Sequence, residues 1–483
     1  MIVLVNPAST HSPRKPLPMS VLAVASVLDG EFDYAIVDAN VDGDALACIT
    51  ALAERTALTA IAITVMPGPQ LCQAVPLSRA LKQRFPGVPL VWGGYFPSEH
   101  ADVVLRDAAI DYCIRGQGER SFVSLARILA HGGGLDTVAG LSYVQNGRVR
   151  HNPAAPLAAL DELPRWPYER LDMGHYFHRH YLGARVGAHH SSYGCPHACN
   201  FCAVVGIANR RWVAESPERV EGVLRHFKST YAADAVQFHD MDFFISEPRT
   251  AAICERVKPL GLTWWALGRV DELMRYKTAT WQVMKQSGLK MVFCGAESAS
   301  NDTLAQMNKG GTSTAEQTLE LALRMREFDV VPEFSFVVGN PPDPDEDLRR
   351  TLEFIRQIKA ANEAAEIILY VYSPVRGSSS PEKFPFPETL DEWVSERWQS
   401  FALRRDPQTP WAPRSIRQRV RNFETVLNAY YPTVTDTRLT SRRRKMLRAL
   451  ASWRYHGRIE ATPFELNAVQ RVFRYQRPET TGF

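Results

Sequence analysis

One feature narrows the fold more than any other: short, wholly apolar runs of strand length alternate with segments of helical spacing. In the first 130 residues the runs are Ile2–Asn6, Tyr34–Asp38, Ala60–Val65, Pro89–Trp92 and Tyr112–Ile114, and Met19–Leu28 has helical spacing. Runs that are apolar on both faces predict parallel strands with helices on either side. The expected fold class is therefore α/β, beginning with a doubly wound, Rossmann-like parallel sheet. Gly132–Arg150 reads as a small hairpin. His151–Tyr176, with Pro153, Pro156, Pro164 and Pro167, reads as a linker. A second series follows: Val186–Ser192, Ala235–Asp240, Leu262–Leu267, Met291–Cys294, Glu333–Val338 and Ile367–Tyr372. Helical stretches such as Pro217–Tyr231 and Ser313–Phe328 separate them. Six such units predict a partial, TIM-like (β/α)6 barrel. From about residue 380 the pattern turns helical, aromatic and basic. The expected domains are 1–150, a linker over 151–183, the barrel over 184–376 and a helical region over 377–483.

Composition removes other classes. Of 483 residues, 45% are apolar and 22% charged, which excludes disordered, collagen-like and coiled-coil chains. Eight cysteines are too sparse for a secreted disulfide scaffold. Met1–Pro7 lacks the charged n-region and cleavage site of a signal peptide. No apolar run reaches the length of a membrane span. The expected location is the cytoplasm, with no membrane partner. The net charge of +4 conceals an asymmetry: residues 401–483 hold 17 Lys+Arg against 6 Asp+Glu, the rest 39 against 46.

In such sheets and barrels, ligands gather at the carboxyl ends of the strands. The second series places Asp240, Asp242, Arg269, Glu297 and Asn340 there. The strongest local signal is Cys195-Pro-His-Ala-Cys199-Asn-Phe-Cys202, just after the strand candidate Val186–Ser192. Thiolates are the usual ligands of iron–sulfur clusters, and three of them leave one iron of a four-iron cluster open. Zinc would want a fourth ligand, and His197 sits awkwardly inside the loop. Cys48, Cys72, Cys113, Cys254 and Cys294 lie singly in apolar runs and read as core residues.

This CxxxCxxC, with Phe201 before its third cysteine, resembles the radical SAM enzymes over roughly Ala184–Pro374. Gly295-Ala-Glu297-Ser298 and Val338-Gly339-Asn-Pro341 belong to the same likeness. The resemblance implies a [4Fe–4S] cluster held by Cys195, Cys199 and Cys202. It implies S-adenosylmethionine (SAM) on the open iron and reductive cleavage to a 5′-deoxyadenosyl radical. An external electron donor such as flavodoxin or ferredoxin is implied too. Glu297 is the candidate for the SAM ribose, Arg269 for its carboxylate, Phe201 for its adenine. The family's Gly-Gly-Glu is replaced here by His239-Asp240-Met241-Asp242, so either Asp240 or Asp242 would take the ammonium.

The N-terminal half has no GxGxxG and no phosphate loop, which disfavours a dinucleotide site. It resembles instead the cobalamin-binding domains fused to radical SAM proteins. The matching stretches are Asp38-Ala-Asn40-Val-Asp-Gly43, Thr64-Val-Met66-Pro-Gly68-Pro-Gln70, Trp92-Gly93-Gly94-Tyr-Phe-Pro97 and Arg115-Gly116-Gln-Gly-Glu119. The implied cobalamin residues are Asn6, Asp38, Asn40, Thr64, Met66, Gly68, Gln70, Gly93, Gly94 and Gly116. Asn40 stands where one type of cobalamin domain has the cobalt-ligating His. The expectation is cobalamin bound base-off, without a histidine.

A radical initiator beside a methyl carrier implies methyl transfer to an unactivated carbon or phosphinate phosphorus of a small-molecule substrate. Alternatives are a cobalamin-dependent cyclase or oxidoreductase, an RNA methylthiotransferase and a non-enzymatic cobalamin or iron sensor. The methylthiotransferases carry three further N-terminal cysteines, but Cys48, Cys72 and Cys113 fall in buried runs or strands. In the C-terminal region, Trp393, Trp398, Trp411 and Trp453 fall at helical spacing and are expected to pack against the barrel. Arg442-Arg-Arg-Lys445 reads as a solvated helix face. A functional reading has this region cap the barrel mouth and admit an anionic substrate. Nucleic acid is disfavoured, because no RNA-binding module is seen.

Overall fold

A computed structural model describes residues 1–483 except 11, 310–311, 373–385, 400–412, 473–474 and 476–483. The chain forms two compact units. The first contains Met1–Phe177, Ser192–Glu215 and, among later described residues, 386–399. The second contains His178–Ser191 and residues 216–372 and 413–475.

The first unit is built on a seven-stranded sheet. Its strands are β1 (Ile2–Asn6), β2 (Tyr34–Asp38), β3 (Ala60–Thr64), β4 (Leu90–Gly93), β5 (Tyr112–Ile114), β6 (Leu141–Gln145) and β7 (Arg148–His151). The order is β2-β1-β3-β4-β5-β6-β7. The first five strands run parallel, and β6 and β7 add the expected hairpin antiparallel at the edge. Every residue of β1 is buried, as a central strand between helical layers requires. Helices Met19–Ser26 and Glu119–His131 pack together over one face. Ile2, Leu4, Val21, Ala25, Phe122, Leu125 and Leu141 form that core. Each such large side chain contributes about 1.5–3 kcal/mol when fully buried.

The second unit is a six-stranded, wholly parallel sheet. It contains β8 (Val186–His189), β11 (Ala235–Phe238), β12 (Thr263–Arg269), β13 (Leu289–Glu297), β14 (Val331–Val338) and β15 (Glu366–Val371). The order is β15-β14-β13-β12-β11-β8, and β8 does not pair with β15, so the barrel is open. Val186, Ala235, Trp265, Met291 and Val331 pack at its amino-terminal end. Helix Pro217–Tyr231 starts at a Ser216 cap followed by proline and stops at left-handed Ala232. Helix Ala315–Glu327 opens with a Thr314/Gln317 capping box.

Two details differ from the expected pattern. Val186–Ser192 is not one strand. It splits into β8 and a short β9 (Ser192–Gly194), which pairs antiparallel with β10 (Trp212–Ala214) in the first unit. Helices Arg414–Tyr430, Ser441–His456 and Phe464–Val472 make the carboxyl end helical, as expected. Its tryptophans do not share one role. Trp393 is buried against Phe96 and His100 in the first unit, whereas Trp453 is exposed. Trp411 lies outside the described residues. Among the described residues, no helix is long and apolar enough to cross a membrane.

Candidate active site

The strand ends of the first unit carry a connected polar network. The Asp38 carboxylate is 1% exposed and accepts four hydrogen bonds. Asn6 Nδ2 donates at 2.8 Å, and Asn40 donates through its N–H and Nδ2 at 3.0 Å each. The Tyr176 hydroxyl, from the linker, donates to the other carboxylate oxygen at 2.8 Å. Gln70 Nε2 donates to Asn6 Oδ1 at 2.8 Å, and Gln70 Oε1 accepts from the Met66 N–H at 2.8 Å. The Asn40 carbonyl accepts from Ser9 N–H at 2.9 Å and Thr10 N–H at 3.3 Å. Five predicted residues thus meet in one system. The Asn40 side-chain oxygen is fully engaged and its amide nitrogen has no lone pair to offer a metal, so neither atom suits a metal ligand. Tyr176 went unnoticed in the sequence, because nothing local marks a linker tyrosine as the partner of Asp38.

Around this network the backbone leaves room. Gly93 and Gly43 have nothing within 4 Å of where a Cβ would stand. Gly94, at φ +94°, sits against Thr64, and a Cβ would lie 3.0 Å from Thr64 Oγ1. Gly68 caps the next helix at φ +86°, and Met66 is exposed beside it. An open ledge beyond parallel strand ends, floored by fixed polar groups, fits a large flat cofactor. Cobalamin fits it with Asn40 as floor rather than as ligand.

The cysteine loop belongs to this same unit. Gly194 precedes Cys195 at φ +82°, and a Cβ there would overlap the Arg211 carbonyl just before β10. Cys199 is buried, while Cys195 and Cys202 are half-buried, and none of the three is in a disulfide. The loop runs into helix Val204–Ala208, which packs against helix Tyr95–Val104. A Cβ on Gly206 would overlap the Glu99 carboxylate, and one on Gly116 would lie 3.5 Å from the Ile207 carbonyl. Arg211 Nη1 donates to the Ala155 carbonyl at 3.1 Å. The loop therefore docks on the β4 and β5 end loops, beside the ledge. Three thiols on one tight loop, two of them half-buried and one buried, fit a cluster with one open iron. The other five cysteines do not compete: burial pushes every one of their thiols up, Cys254 to about 12.

Of the residues predicted for SAM, Phe201 lies in the first unit, while Asp240, Asp242, Arg269 and Glu297 are buried in the second. Asp240 is fully buried, and its oxygens accept from the Ser191 N–H at 3.0 Å and hydroxyl at 2.8 Å. Arg249 Nη2 holds the Ser191 carbonyl and hydroxyl at 2.9 Å each. Asp240 thus fixes the turn after β8, which explains why the predicted long strand breaks. Asp242 has a different environment. Burial first, and then the neighbouring Glu272 carboxyl, hold its pKa well above the ordinary carboxylate range. Arg269 Nε and Nη2 pair with Asp271 at 3.0 and 3.2 Å, and Nη2 also donates to the Lys309 carbonyl. Burial pushes Asp271 up, but the charge and hydrogen bond of Arg269, together with hydrogen bonds from Thr312 and Ser313, outweigh it and hold the pKa at about 2. Glu297, at φ +65°, accepts from Lys309 Nζ at 2.7 Å, both side chains being buried. Gly295 must stay small there, since a Cβ would come 2.7 Å from Lys309 Nζ. Glu272 and Lys309 were missed. The acidic pair Asp271-Glu272 beside Arg269 was the available signal for the first.

The concave side of the sheet is polar above its apolar base. Trp265 Nε1 donates to Glu333 Oε2 at 3.1 Å, although β13 separates their strands. Their side chains therefore meet across the inside of the curve. His239 lies against Trp265 and stacks with His190, ring centroids 5.4 and 6.4 Å apart. Burial, aided by His190, pushes His239 down to about 3, so this imidazole is neutral.

A parallel cobalamin-type sheet, a six-stranded open barrel and a three-cysteine loop together define a radical SAM enzyme with an attached cobalamin domain. Residues 190–355 match the radical SAM superfamily, and residues 9–126 match the B12 binding domain. The chain belongs to the cobalamin-binding radical SAM enzymes, and its cofactors are a [4Fe–4S] cluster, SAM and cobalamin. It is 28% identical over 345 residues to an "uncharacterized methyltransferase" of Pyrococcus horikoshii, covering 71% of this chain and 73% of the relative. It is 23% identical over 366 residues to an anaerobic magnesium-protoporphyrin IX monomethyl ester cyclase of Synechocystis, covering 73% and 71%. In fold it is similar to the cobalamin-dependent SAM radical enzyme OxsB, with TM-score 0.67 and 17% identity, covering 98% of this chain and 73% of OxsB.

Proposed function

We propose that this enzyme transfers a methyl group to an unactivated carbon of a small-molecule substrate. The observation that carries this reading is the docking of the cysteine loop on the strand-end loops beside the open ledge, through Gly116, Gly206 and Glu99. It supports radical generation next to a methyl carrier. When bound, the cluster with SAM supplies a hydrogen-abstracting radical and cobalamin supplies a methyl group.

The chain's own residues position and exclude. Cys195, Cys199 and Cys202 hold the cluster. Asp240 is committed to Ser191, which favours Asp242 as the acid for the SAM ammonium. The Asp242–Glu272 pair gains most from a neighbouring cation, because two buried carboxyls otherwise repel. Arg269 is paired with Asp271, so its role is to set the local charge rather than to clasp a carboxylate alone. Glu297, steadied by Lys309, is the candidate for a ribose hydroxyl. Phe201 is assigned to the adenine. Glu333 and the neutral His239 are the candidates for substrate contact inside the curve of the sheet, with Trp265 Nε1 steadying Glu333.

Turnover with methyl-labelled SAM, an external reductant and candidate substrates, followed by mass spectrometry, tests the reaction. Label in the product is expected. A modified product without label sinks methylation and favours the cyclase reading, which the Synechocystis relative supports. The ledge makes a separate prediction. Because both amide atoms of Asn40 are occupied, electron paramagnetic resonance of reconstituted Co(II) protein should show no nitrogen splitting. A nitrogen signature from the protein would contradict the base-off, histidine-free assignment.

A further inference from the structure

We propose that the outer face of helix Ser441–His456, with the start of helix Phe464–Val472, is a docking surface for anionic bilayers. The first helix buries Leu447, Ala451, Arg454 and Tyr455 on one side. Its opposite side carries an apolar stripe and no acidic residue. Met446, Leu450 and Trp453 recur there at helical spacing and are 41%, 38% and 54% exposed. Arg442, Arg443 and Lys445 are exposed around this stripe, and the helix contains no Asp or Glu.

The neighbouring helix extends the surface. Arg454 lies over the Trp453 ring at 4.6 Å. Its guanidinium also pairs with Glu465 and donates to the Ala461 and Thr462 carbonyls. This clamp fixes the start of the second helix, where Phe464 is 75% exposed. Arg444 and Arg448 are held within the fold. Arg444 bonds the Pro432, Thr433 and Asp436 carbonyls, and Arg448 pairs with Glu363. The face therefore presents its large apolar groups within a rim of outward cations.

That combination discriminates among occupants. Phosphate-rich nucleic acid would use the arginines but leave Met446 and Leu450 unmatched. A lipid surface uses both: anionic headgroups meet the cations, while Trp, Phe, Leu and Met enter the headgroup–acyl boundary. Contiguous exposed apolar surface of this kind marks an interaction site. A docking surface of this kind goes beyond the sequence expectation of a solvated helix face with no membrane partner. The surface is peripheral and requires no spanning helix.

The test is co-sedimentation of the full-length protein with vesicles of phosphatidylcholine, with and without phosphatidylglycerol. Binding should rise with phosphatidylglycerol and fall with added salt, as surface charges are screened. Arg442→Gln, Arg443→Gln and Lys445→Gln together should weaken it about a hundredfold, at about fivefold per cation. Trp453→Ser with Phe464→Ser should weaken it at least about tenfold, and Trp453→Phe should retain most of it. These groups are exposed, so the variants should melt with the parent protein. If one melts early, the wild-type dependence on phosphatidylglycerol and salt decides alone. No sedimentation with anionic vesicles would overturn the proposal. So would equal binding to neutral vesicles, a dimer that dissociates in Trp453→Ser, or binding confined to an acidic protein.

Discussion

Replacing Cys195, Cys199 or Cys202 with alanine abolishes the visible cluster absorbance and the reductive cleavage of SAM together. All three sit on one loop, and losing any thiolate leaves too few ligands for a site-differentiated four-iron cluster. The control is Cys254→Ala or Cys294→Ala. Both thiols are fully buried and pushed up by burial, so they serve packing alone. Those variants should lose about 1–2 kcal/mol of stability and keep absorbance and SAM turnover. Anaerobic reconstitution, iron analysis and 5′-deoxyadenosine detection read all outcomes. Cleavage retained in any variant of the loop cysteines would sink the cluster assignment.

The architecture was legible because apolar periodicity is a local property. Ile2–Asn6, Tyr34–Asp38 and Tyr112–Ile114 are strands over the residues that the pattern marks, and all six barrel strands were found. Boundaries moved where a distant partner decides them. Asp240 grips Ser191 from 49 residues away and ends β8 early. The cysteine spacing was legible for the same local reason. Its docking was not, since the closeness of Gly116 to Ile207 depends on how two separated segments pack. The charge pairs follow the same logic. Arg269 and Glu297 were marked by position, but Lys309 becomes Glu297's partner only once the chain after β13 folds back. The C-terminal excess of positive charge was visible at once. Which cations face outward was not, because Arg444 and Arg454 are spent on backbone carbonyls.

Asp38→Ala should be the most damaging single change in the first unit outside the cysteine loop. It strips the acceptor from the Asn6 amide, the Asn40 amide and N–H, and the Tyr176 hydroxyl, all buried. Each buried donor left unsatisfied costs about 1–3 kcal/mol, so four of them are expected to cost at least about 4 kcal/mol. That is a large part of a typical domain's 5–15 kcal/mol. Asp38→Asn should cost far less. Its carbonyl can still accept from Asn6 and Asn40, and the Tyr176 hydroxyl can rotate to accept from the new amide. Because the network floors the ledge, Asp38→Ala should also lose cobalamin on gel filtration while Asp38→Asn keeps most of it. Tyr176→Phe separates the two effects: combined with Asp38→Ala it should add little, since the lost partner is the same. Equal stability of Asp38→Ala and Asp38→Asn in thermal unfolding would show that the network does not hold the strand ends. Unchanged cobalamin retention in an equally destabilised variant would show that it does not shape the ledge.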